Sequence, residues 1–292
     1  MFSVLLPVYN GEKWLSNSIN SVMNQTYKDF ECLIICNGCT DDSFEVASKA
    51  VVNDPRFSVH KLEKANKANA LNFGVYKSKY SWIAPIDVDD TWLPAKLEKQ
   101  KKHLDDNPSL DVLSCQMTYV GALNCDAPRN PLDHETISWC FSQGKNPISF
   151  PASVYRKDLH FRGVGLFNTL SIVIEDYDFW QRCKINGMRM ANLPDNLVVH
   201  TIHGEPDNLS IVQTEQSEEV EDAWSLDLKT KTEYRQQLAK CLVDSWYIDW
   251  PSDFPPEWGL VSLIRDFDRK NHLGLTRTFT NSTDPEKGNN NV

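Results

Sequence analysis

Three carboxylates are crowded into one short turn of the sequence. Asp87, Asp89 and Asp90 lie in the four residues DVDD, directly after the apolar run WIAPI, so they stand where a buried strand reaches the surface. Carboxylates this close repel one another, and they stay ionised at low cost only when a cation or several donors neutralise them. Mg²⁺ and Mn²⁺ take oxygen ligands, often one or two carboxylates together with substrate phosphates. The turn therefore predicts a site for a metal-bound diphosphate.

Two other interpretations of these acids are open. From Asp87 to Glu98 the spacing imitates a calcium-binding loop, but Trp92 occupies the sixth position, where that loop needs glycine for its sharp turn. An acidic turn that caps a helix beginning near Leu93 and Pro94 is commoner, because Asp is favoured at helix starts and Pro at the first helical position. By itself, DVDD favours the metal site and the cap about equally.

Length and composition describe an ordinary globular protein. The chain has 292 residues, 41% of them hydrophobic, which is enough for a real core in one large or two modest domains. A net charge of −10 and a pI near 5.2 argue against broad binding to nucleic acids or anionic membranes. The opening MFSVLLPVYNGEKW has too short an apolar run for a signal peptide or a transmembrane segment. We therefore expect a cytoplasmic protein.

Eight scattered cysteines fit reduced thiols in that compartment. Cys36 and Cys39 form a CxxC at the end of an apolar segment, where a thiol-redox motif could lie. The sequence has no second CxxC that would complete a four-cysteine zinc site. Buried or loop thiols are the commoner state, and a thiol-redox protein is kept as an alternative.

Apolar strands and amphipathic helices alternate through the first 120 residues. Strand-like segments cover Ser3–Leu6, Phe30–Ile35, Phe57–Leu62 and the run that ends at Asp87, and apolar residues at helical spacing lie between them. This repetition predicts an α/β fold with a doubly wound, mainly parallel sheet flanked by helices. Ligands of such sheets bind at the carboxyl ends of the strands, so we expect the loops PVYN, CNG and DVDD to share one crevice. Pro85 predicts a bulge or one-sided pairing.

The first 100 residues contain the blocks PVYNGEKWLSNSINSVMNQTYKDFE, ICNGCTDDS and KANALNFGVYKSKYSWIAPIDVDDTWLP. These blocks resemble the opening of glycosyltransferase family 2, the inverting enzymes of GT-A fold. IEDYDFWQR at 174–182 is similar to the block that carries the family's catalytic acid pair, and HTIH at 200–203 is similar to its late histidine motif. The resemblance extends over about the first 210 residues.

The resemblance implies a nucleotide-sugar donor. Pro7 and Tyr9 would line the base pocket, with ordinary strand-end packing as the alternative. Asn37 stands where the family usually has an acid that reads the base, and its amide offers both a donor and an acceptor. Lys67 would hold the base or a phosphate, with a solvated helix charge as the alternative.

The resemblance also implies a divalent metal, Mn²⁺ or Mg²⁺. Asp89 would bind it directly across the diphosphate, and Asp87 would contact the ribose or a metal-bound water. Asp90 would support those ligands. His203 would supply a late metal ligand or a phosphate contact, although a lone histidine is more often structural.

The acid pair Glu175 and Asp176 would perform the chemistry. An inverting transfer needs a base on one side of the anomeric carbon and a cation on the other. Asp176 is our candidate for the base, and Glu175 would position the acceptor or raise the pKa of Asp176 by repulsion. The alternative is that these acids only cap the helix that runs through Trp180, and both roles can coexist.

We expect one GT-A domain over residues 1–212, with the donor half at 1–120 and the acceptor half at 121–212. A mostly helical extension at 213–280 and a disordered tail at 281–292 would follow. Side chains that could contact an acceptor sugar, although aromatics are more often core, are Trp139, Phe141, Phe150, Tyr155 and Arg156.

The sequence thus predicts a metal-dependent, inverting, non-processive glycosyltransferase. It would move one sugar from a nucleotide diphosphate donor, a UDP-sugar, to a glycan or other hydroxyl acceptor. A non-catalytic nucleotide-sugar-binding module is a second alternative beside the thiol-redox protein, and it would not need Asp176.

Overall fold

A computed structural model of the protein describes residues 1–122, 124–127, 129–169 and 175–202. The chain divides into two compact units, one comprising Met1–Leu159 and Leu166–Gln216, the other His160–Gly165 and Ser217–Val292. The first unit carries the sheet and the predicted site. The helical extension expected at 213–280, the tail at 281–292 and His203 lie outside the described residues.

The first half of the sheet is the predicted parallel, doubly wound arrangement. Its strands run in the order β3-β2-β1-β4, and every neighbouring pair is parallel. Every residue of β1 and β2 is buried, as expected for parallel strands covered on both faces. The elements are β1 (Phe2–Val8), α1 (Glu12–Met23), β2 (Phe30–Asn37), α2 (Ser43–Val51), β3 (Phe57–Leu62), α3 (Lys67–Lys77) and β4 (Trp82–Pro85).

The second half of the sheet is mixed. Beyond β4 it continues in the order β8-β6-β9-β5, with β7 paired to β6; only β6 and β9 are parallel. The α/β class is therefore confirmed, and its parallel character belongs to the first half. The elements are β5 (Thr91–Trp92), α4 (Lys96–Asp106), β6 (Val112–Gly121), β7 (Cys125–Asp126), α5 (His134–Ser142), β8 (Val154–Arg156), α6 (Glu175–Ile185) and β9 (Met190–Ile202).

The strand ends that carry the acidic turn are fitted closely to their neighbours. Pro85 pairs with Leu5 of β1, whereas β8 pairs with β4 only at Trp82 and Ile83, so the predicted one-sided pairing is confirmed. Gly11, just before α1, lies under the turn: a Cβ there would be 2.6 Å from Val88 Cγ2. A larger residue at this position would push Val88, and with it the DVDD turn, away from α1.

Helix α4 begins with a fully buried lysine. Lys96 Nζ donates to Gln100 Oε1 at 3.0 Å and lies 3.8 Å from the ring centroid of Trp92. The Trp92 indole in turn donates to the carbonyl of Pro151 at 2.8 Å. Burial lowers the pKa of Lys96 to about 7. This buried polar group costs stability whenever the lysine is charged.

Lys96→Met is expected to stabilise the fold, more at acidic than at alkaline pH. The pKa is about 7 in the folded protein against 10.5 ordinarily, so the unfolded chain binds more protons between these values and the wild type gains stability as pH rises through that window. Methionine fills a similar volume without charge. Urea unfolding should show a gain on the order of a few kcal/mol at pH 6 that shrinks at pH 9.

Lys102→Met, at an exposed lysine of the same helix, is the matched control and should change little at either pH. A gain for Lys96→Met that is equal at both pH values, or a loss at pH 6, would contradict the assignment of a depressed pKa to Lys96.

Candidate active site

The ammonium group of Lys67 links two regions of the predicted site. Lys67 opens α3, and its Nζ lies 2.7 Å from Asp87 Oδ1 and 3.1 Å from Glu175 Oε1. Asp87 follows β4, and Glu175 opens α6. Burial works against the lysine charge, but the attraction of Asp87 and then of Glu175 outweighs it and holds the pKa of Lys67 well above its usual value. The acidic turn and the acid pair therefore share one permanent cation.

Asn66 positions Lys67 by capping α3. Its side-chain oxygen accepts from the backbone N–H of Asn69 at 2.8 Å, and its amide nitrogen donates to the carbonyl of Thr169 at 2.8 Å. Asparagine is among the preferred residues at this helix position, because its oxygen satisfies an otherwise unpaired backbone N–H. The sequence analysis did not single out Asn66, although an Asn directly before a helical pattern is a signal that could have found it.

Asn37 connects the loop after β1 with the start of α3. Its buried side chain donates from Nδ2 to the carbonyl of Val8 at 2.7 Å and accepts from the backbone N–H of Asn66 at 2.9 Å. The neighbouring Gly38 has a φ of +64°, and a Cβ there would lie 2.4 Å from the nitrogen of Ala65. Contact of Asn37 with a base stays a prediction; the amide keeps one N–H and one lone pair for it.

The other two predicted base-pocket residues lie at the end of β1. Pro7 is buried within the strand and pairs with Ile35 of β2. Tyr9 follows the strand and keeps 54% of its surface exposed. An exposed ring at a strand end is available to stack on a flat base, and the roles of both residues stay predictions.

The three acids of the DVDD turn have different partners. Asp87 contacts Lys67, whereas Asp90 is completely buried and accepts from Nδ1 of His200 at 2.8 and 3.0 Å. Asp89 is half-buried, and its carbonyl accepts from the hydroxyl of Thr201 at 2.6 Å. Burial raises the pKa of Asp90 to about 6 although the bond from His200 opposes it, and the same bond helps raise the pKa of His200 against its own burial.

The interpretation of these acids as a helix cap is wrong. Helix α4 begins only at Lys96, and its N-cap residue is Ala95, which makes no side-chain cap bond. The acids instead bond to Lys67 and to the end of β9. Sequence analysis assigned no role to His200 or Thr201, because the importance of His200 depends on Asp90, which lies 110 positions away.

Asp87 and Asp89 fit a divalent metal that shares its coordination with a substrate. Their carboxylate oxygens are the ligands that Mg²⁺ and Mn²⁺ prefer, and Mg²⁺ is commonly held by one or two carboxylates plus substrate phosphates. Within the described ranges no group of three or more His, Cys, Asp or Glu side chains is placed to hold a metal, and His203 lies outside them. A bound metal would neutralise charge on a leaving diphosphate.

Asp176 has the properties of a base that works near neutral pH. It is the second residue of α6, is half-buried, and accepts from the backbone N–H of Tyr177 at 2.7 Å. Burial, followed by the charge of Glu175, raises the pKa of Asp176 to about 7, whereas Lys67 lowers it. A carboxyl group with this pKa can take up a proton from a reacting hydroxyl.

A layer of aromatic side chains excludes water beneath this cluster. The Phe150 ring lies 4.9 Å from Lys67 Nζ and packs against Phe167 and Trp180 with centroids 6.0 and 6.4 Å apart. Tyr155 packs against Phe179 at 5.1 Å. All five residues are buried. The layer lies against Lys67, the cation that contacts Glu175 of the acid pair.

Comparison with known proteins identifies the family. The sequence matches the family described as Glycosyl transferase family 2 over residues 3–160. The chain belongs to glycosyltransferase family 2. This glycosyltransferase is 35% identical over 216 residues to the O-antigen biosynthesis glycosyltransferase WbnJ of Escherichia coli. The aligned region covers 70% of this chain and 80% of WbnJ. It is 29% identical over 202 residues to the amylovoran biosynthesis glycosyltransferase AmsE of Erwinia amylovora, and the aligned region covers 68% of this chain and 75% of AmsE.

Solved structures confirm the GT-A fold of this glycosyltransferase. S. aureus TarS 1-349 in complex with UDP-GlcNAc aligns with a TM-score of 0.60 at 21% identity, over 98% of this chain and 77% of that one. The mannosyltransferase PcManGT from Pyrobaculum calidifontis, in complex with GDP-Man and Mn²⁺, aligns with a TM-score of 0.57 at 14% identity, over 97% and 76%. None of the described helices of the glycosyltransferase is long and apolar enough to cross a membrane.

Most side chains proposed to contact an acceptor of the glycosyltransferase belong to its core. Phe141, Phe150 and Tyr155 are buried, and Arg156 donates to the carbonyls of Leu110 and Pro108. Trp139 on α5 is 58% exposed. Of these five predicted contacts, Trp139 alone presents an open aromatic surface.

The thiols of the CxxC are poorly suited to redox chemistry. Cys36 is buried, and burial together with the neighbouring Cys39 raises its pKa to about 12. Cys39 donates from its sulfur to the carbonyl of Val8 at 3.3 Å. Since the thiolate is the reactive form, such a pKa disfavours the thiol-redox alternative.

The pH dependence of turnover tests the assignment of Asp176 in the glycosyltransferase. We expect kcat to rise with pH through a midpoint at about 7 and to level off at higher pH, because the base must be ionised. Glu175→Gln should move the midpoint to lower pH, since Glu175 raises this pKa, and Lys67→Met should move it to higher pH, since Lys67 lowers it. The release of nucleoside diphosphate between pH 5 and pH 9 measures both shifts.

Lys64→Met, at an exposed lysine three residues before Lys67, is the control and should leave the midpoint unchanged. Shifts of both variants in the same direction, or a rate that does not change near pH 7, would refute the assignment.

Proposed function

We propose that the protein is a metal-dependent, inverting glycosyltransferase that transfers one sugar from a UDP-sugar to a hydroxyl group of a glycan. The observation that carries the proposal is the contact of Lys67 with both Asp87 and Glu175. It brings the turn suited to a metal-bound diphosphate beside a carboxyl group suited to take a proton. These are the two requirements of the reaction.

On the donor side, Asp89 and Asp87 hold the metal, with His203 as a further ligand or phosphate contact. The base lies between Pro7, Tyr9 and Asn37. Lys67, whose side chain is 37% exposed, is close enough to the turn to contact a diphosphate without leaving Asp87.

On the acceptor side, Asp176 takes the proton of the attacking hydroxyl. As that oxygen forms its bond to the anomeric carbon, the bond to the diphosphate breaks on the opposite face, and the configuration inverts. Glu175, held by Lys67, keeps the pKa of Asp176 raised and orients the acceptor. Residues 1–120 thus form the donor half and 121–212 the acceptor half.

The relatives support the class of donor and acceptor. TarS was solved with UDP-GlcNAc and PcManGT with GDP-Man and Mn²⁺, and WbnJ and AmsE are named for O-antigen and amylovoran biosynthesis. We place the reaction in the cytoplasm, because thiols such as those of Cys32, Cys36 and Cys115 are not in disulfides, as a reducing compartment favours.

A panel of nucleotide sugars with Mn²⁺ or Mg²⁺ tests the proposal without knowledge of the acceptor. A UDP-sugar should raise the melting temperature only with metal present, because a ligand that binds the folded state stabilises it by mass action. Slow hydrolysis should release UDP. Asp89→Asn should abolish the metal-dependent stabilisation, whereas Asp176→Asn should keep it and lower UDP release by about 10²- to 10⁴-fold.

Asp106→Asn, at an exposed acid that ends α4, is the control and should leave both the stabilisation and the release of UDP unchanged. A preference for GDP-sugars would refute the choice of UDP. If no nucleotide sugar stabilises the protein with either metal, or if Asp176→Asn releases UDP at the wild-type rate, the proposed reaction is wrong.

A further inference from the structure

We propose that Asp90, His200 and Thr201 form a positioning network that holds the DVDD turn in the geometry needed to bind the metal. The inference rests on the proposed function, since it concerns the metal that Asp89 and Asp87 would hold. None of the three residues needs to touch the metal or the donor.

The network joins the end of β9 to two successive residues of the turn. Nδ1 of His200 donates to both carboxylate oxygens of Asp90, at 2.8 and 3.0 Å. The backbone N–H of Thr201 donates to Asp90 Oδ1 at 3.2 Å, and the Thr201 hydroxyl donates to the carbonyl of Asp89 at 2.6 Å. The main chain that directly follows the proposed metal-binding side chain of Asp89 is thereby bonded to the end of β9.

The sheet continues this attachment beyond the turn. Thr91 and Trp92 form the two-residue strand β5, which pairs antiparallel with Val199 and Val198 of β9. One residue further on, the N–H of Leu93 donates to the carbonyl of Leu197 at 2.9 Å. The five residues from Asp89 to Leu93 are therefore bonded continuously to residues 197–201 of β9.

The burial of Asp90 explains why His200 is needed. Asp90 has no exposed surface, and a buried carboxylate is stable only when its oxygens are bonded to donors. With both oxygens occupied, Asp90 is a poor metal ligand and acts as an anchor. The His200 ring is held in turn by the Tyr119 ring, with centroids 5.7 Å apart.

Groups that form hydrogen bonds to the ligands of a metal orient those ligands. Loss of such a group commonly lowers metal affinity or activity by about 10- to 100-fold. Thr201 is the sharper test residue, because Thr201→Val keeps the shape of the side chain and removes only the hydroxyl that bonds to Asp89. Thr201→Ser restores that hydroxyl. His200→Gln removes the ring and the Nδ1 donor to Asp90, because the amide nitrogen of glutamine lies further along the side chain.

The experiment measures Mn²⁺ binding to the full chain through the electron paramagnetic resonance signal of free Mn²⁺, with and without UDP. In the presence of UDP, Thr201→Val and His200→Gln should raise the Mn²⁺ concentration that half-saturates the protein by at least about tenfold. Thr201→Ser should return it to near the wild-type value. Melting temperatures without metal separate this effect from a general loss of stability.

Two controls match the variants. Thr118→Val removes a threonine hydroxyl of the same sheet that bonds to Asp126 and Asn196, and His103→Gln replaces a histidine of α4. Both should bind Mn²⁺ and UDP as the wild type does. If folded Thr201→Val needs the same Mn²⁺ concentration for half-saturation as the wild type, the positioning network is refuted while the proposed function stands. If the wild type shows no UDP-dependent Mn²⁺ binding, the proposed function fails and the inference fails with it.

Discussion

The ammonium group of Lys67 lies between two carboxylates that come from distant parts of the chain. Asp87 ends the parallel half of the sheet, and Glu175 begins the helix that carries the acid pair. Without a cation between them, these acids and Asp176 would repel one another across a site lined by aromatic rings. The positive charge of Lys67 therefore allows the acidic turn and the acid pair to lie close together in one site.

The rest of the fold serves to hold these groups at fixed positions and to keep water from part of them. Asn37 and Asn66 connect the ends of β1 and β2 to the start of α3, so the loops after these strands are bonded to the helix that carries Lys67. Burial and then the charge of Glu175 raise the pKa of Asp176. At the opposite side, β9 holds the acidic turn. Membership of glycosyltransferase family 2 agrees with a site assembled from strand ends in this way.

The parallel half of the fold could be predicted because its strands are short, apolar and separated by helices with regular apolar spacing. The mixed half could not, since β5 has two residues and β8 three, too few to show any period. DVDD was visible as residue types suited to chemistry, whereas Lys67 and the acid pair were indicated by the resemblance to the family. His200 was missed, because its function depends on a buried partner 110 positions away that no local pattern reveals.

The most direct test of this account is a titration of the Asp176 carboxyl group by carbon NMR in protein labelled at aspartate, with Asp176→Asn to assign the resonance. The account predicts a midpoint of about 7, which should rise in Lys67→Met. A midpoint near the ordinary aspartate value of about 4, unaffected by Lys67, would show that burial and the shared cation do not tune this group, and the proposed base would have to be sought elsewhere.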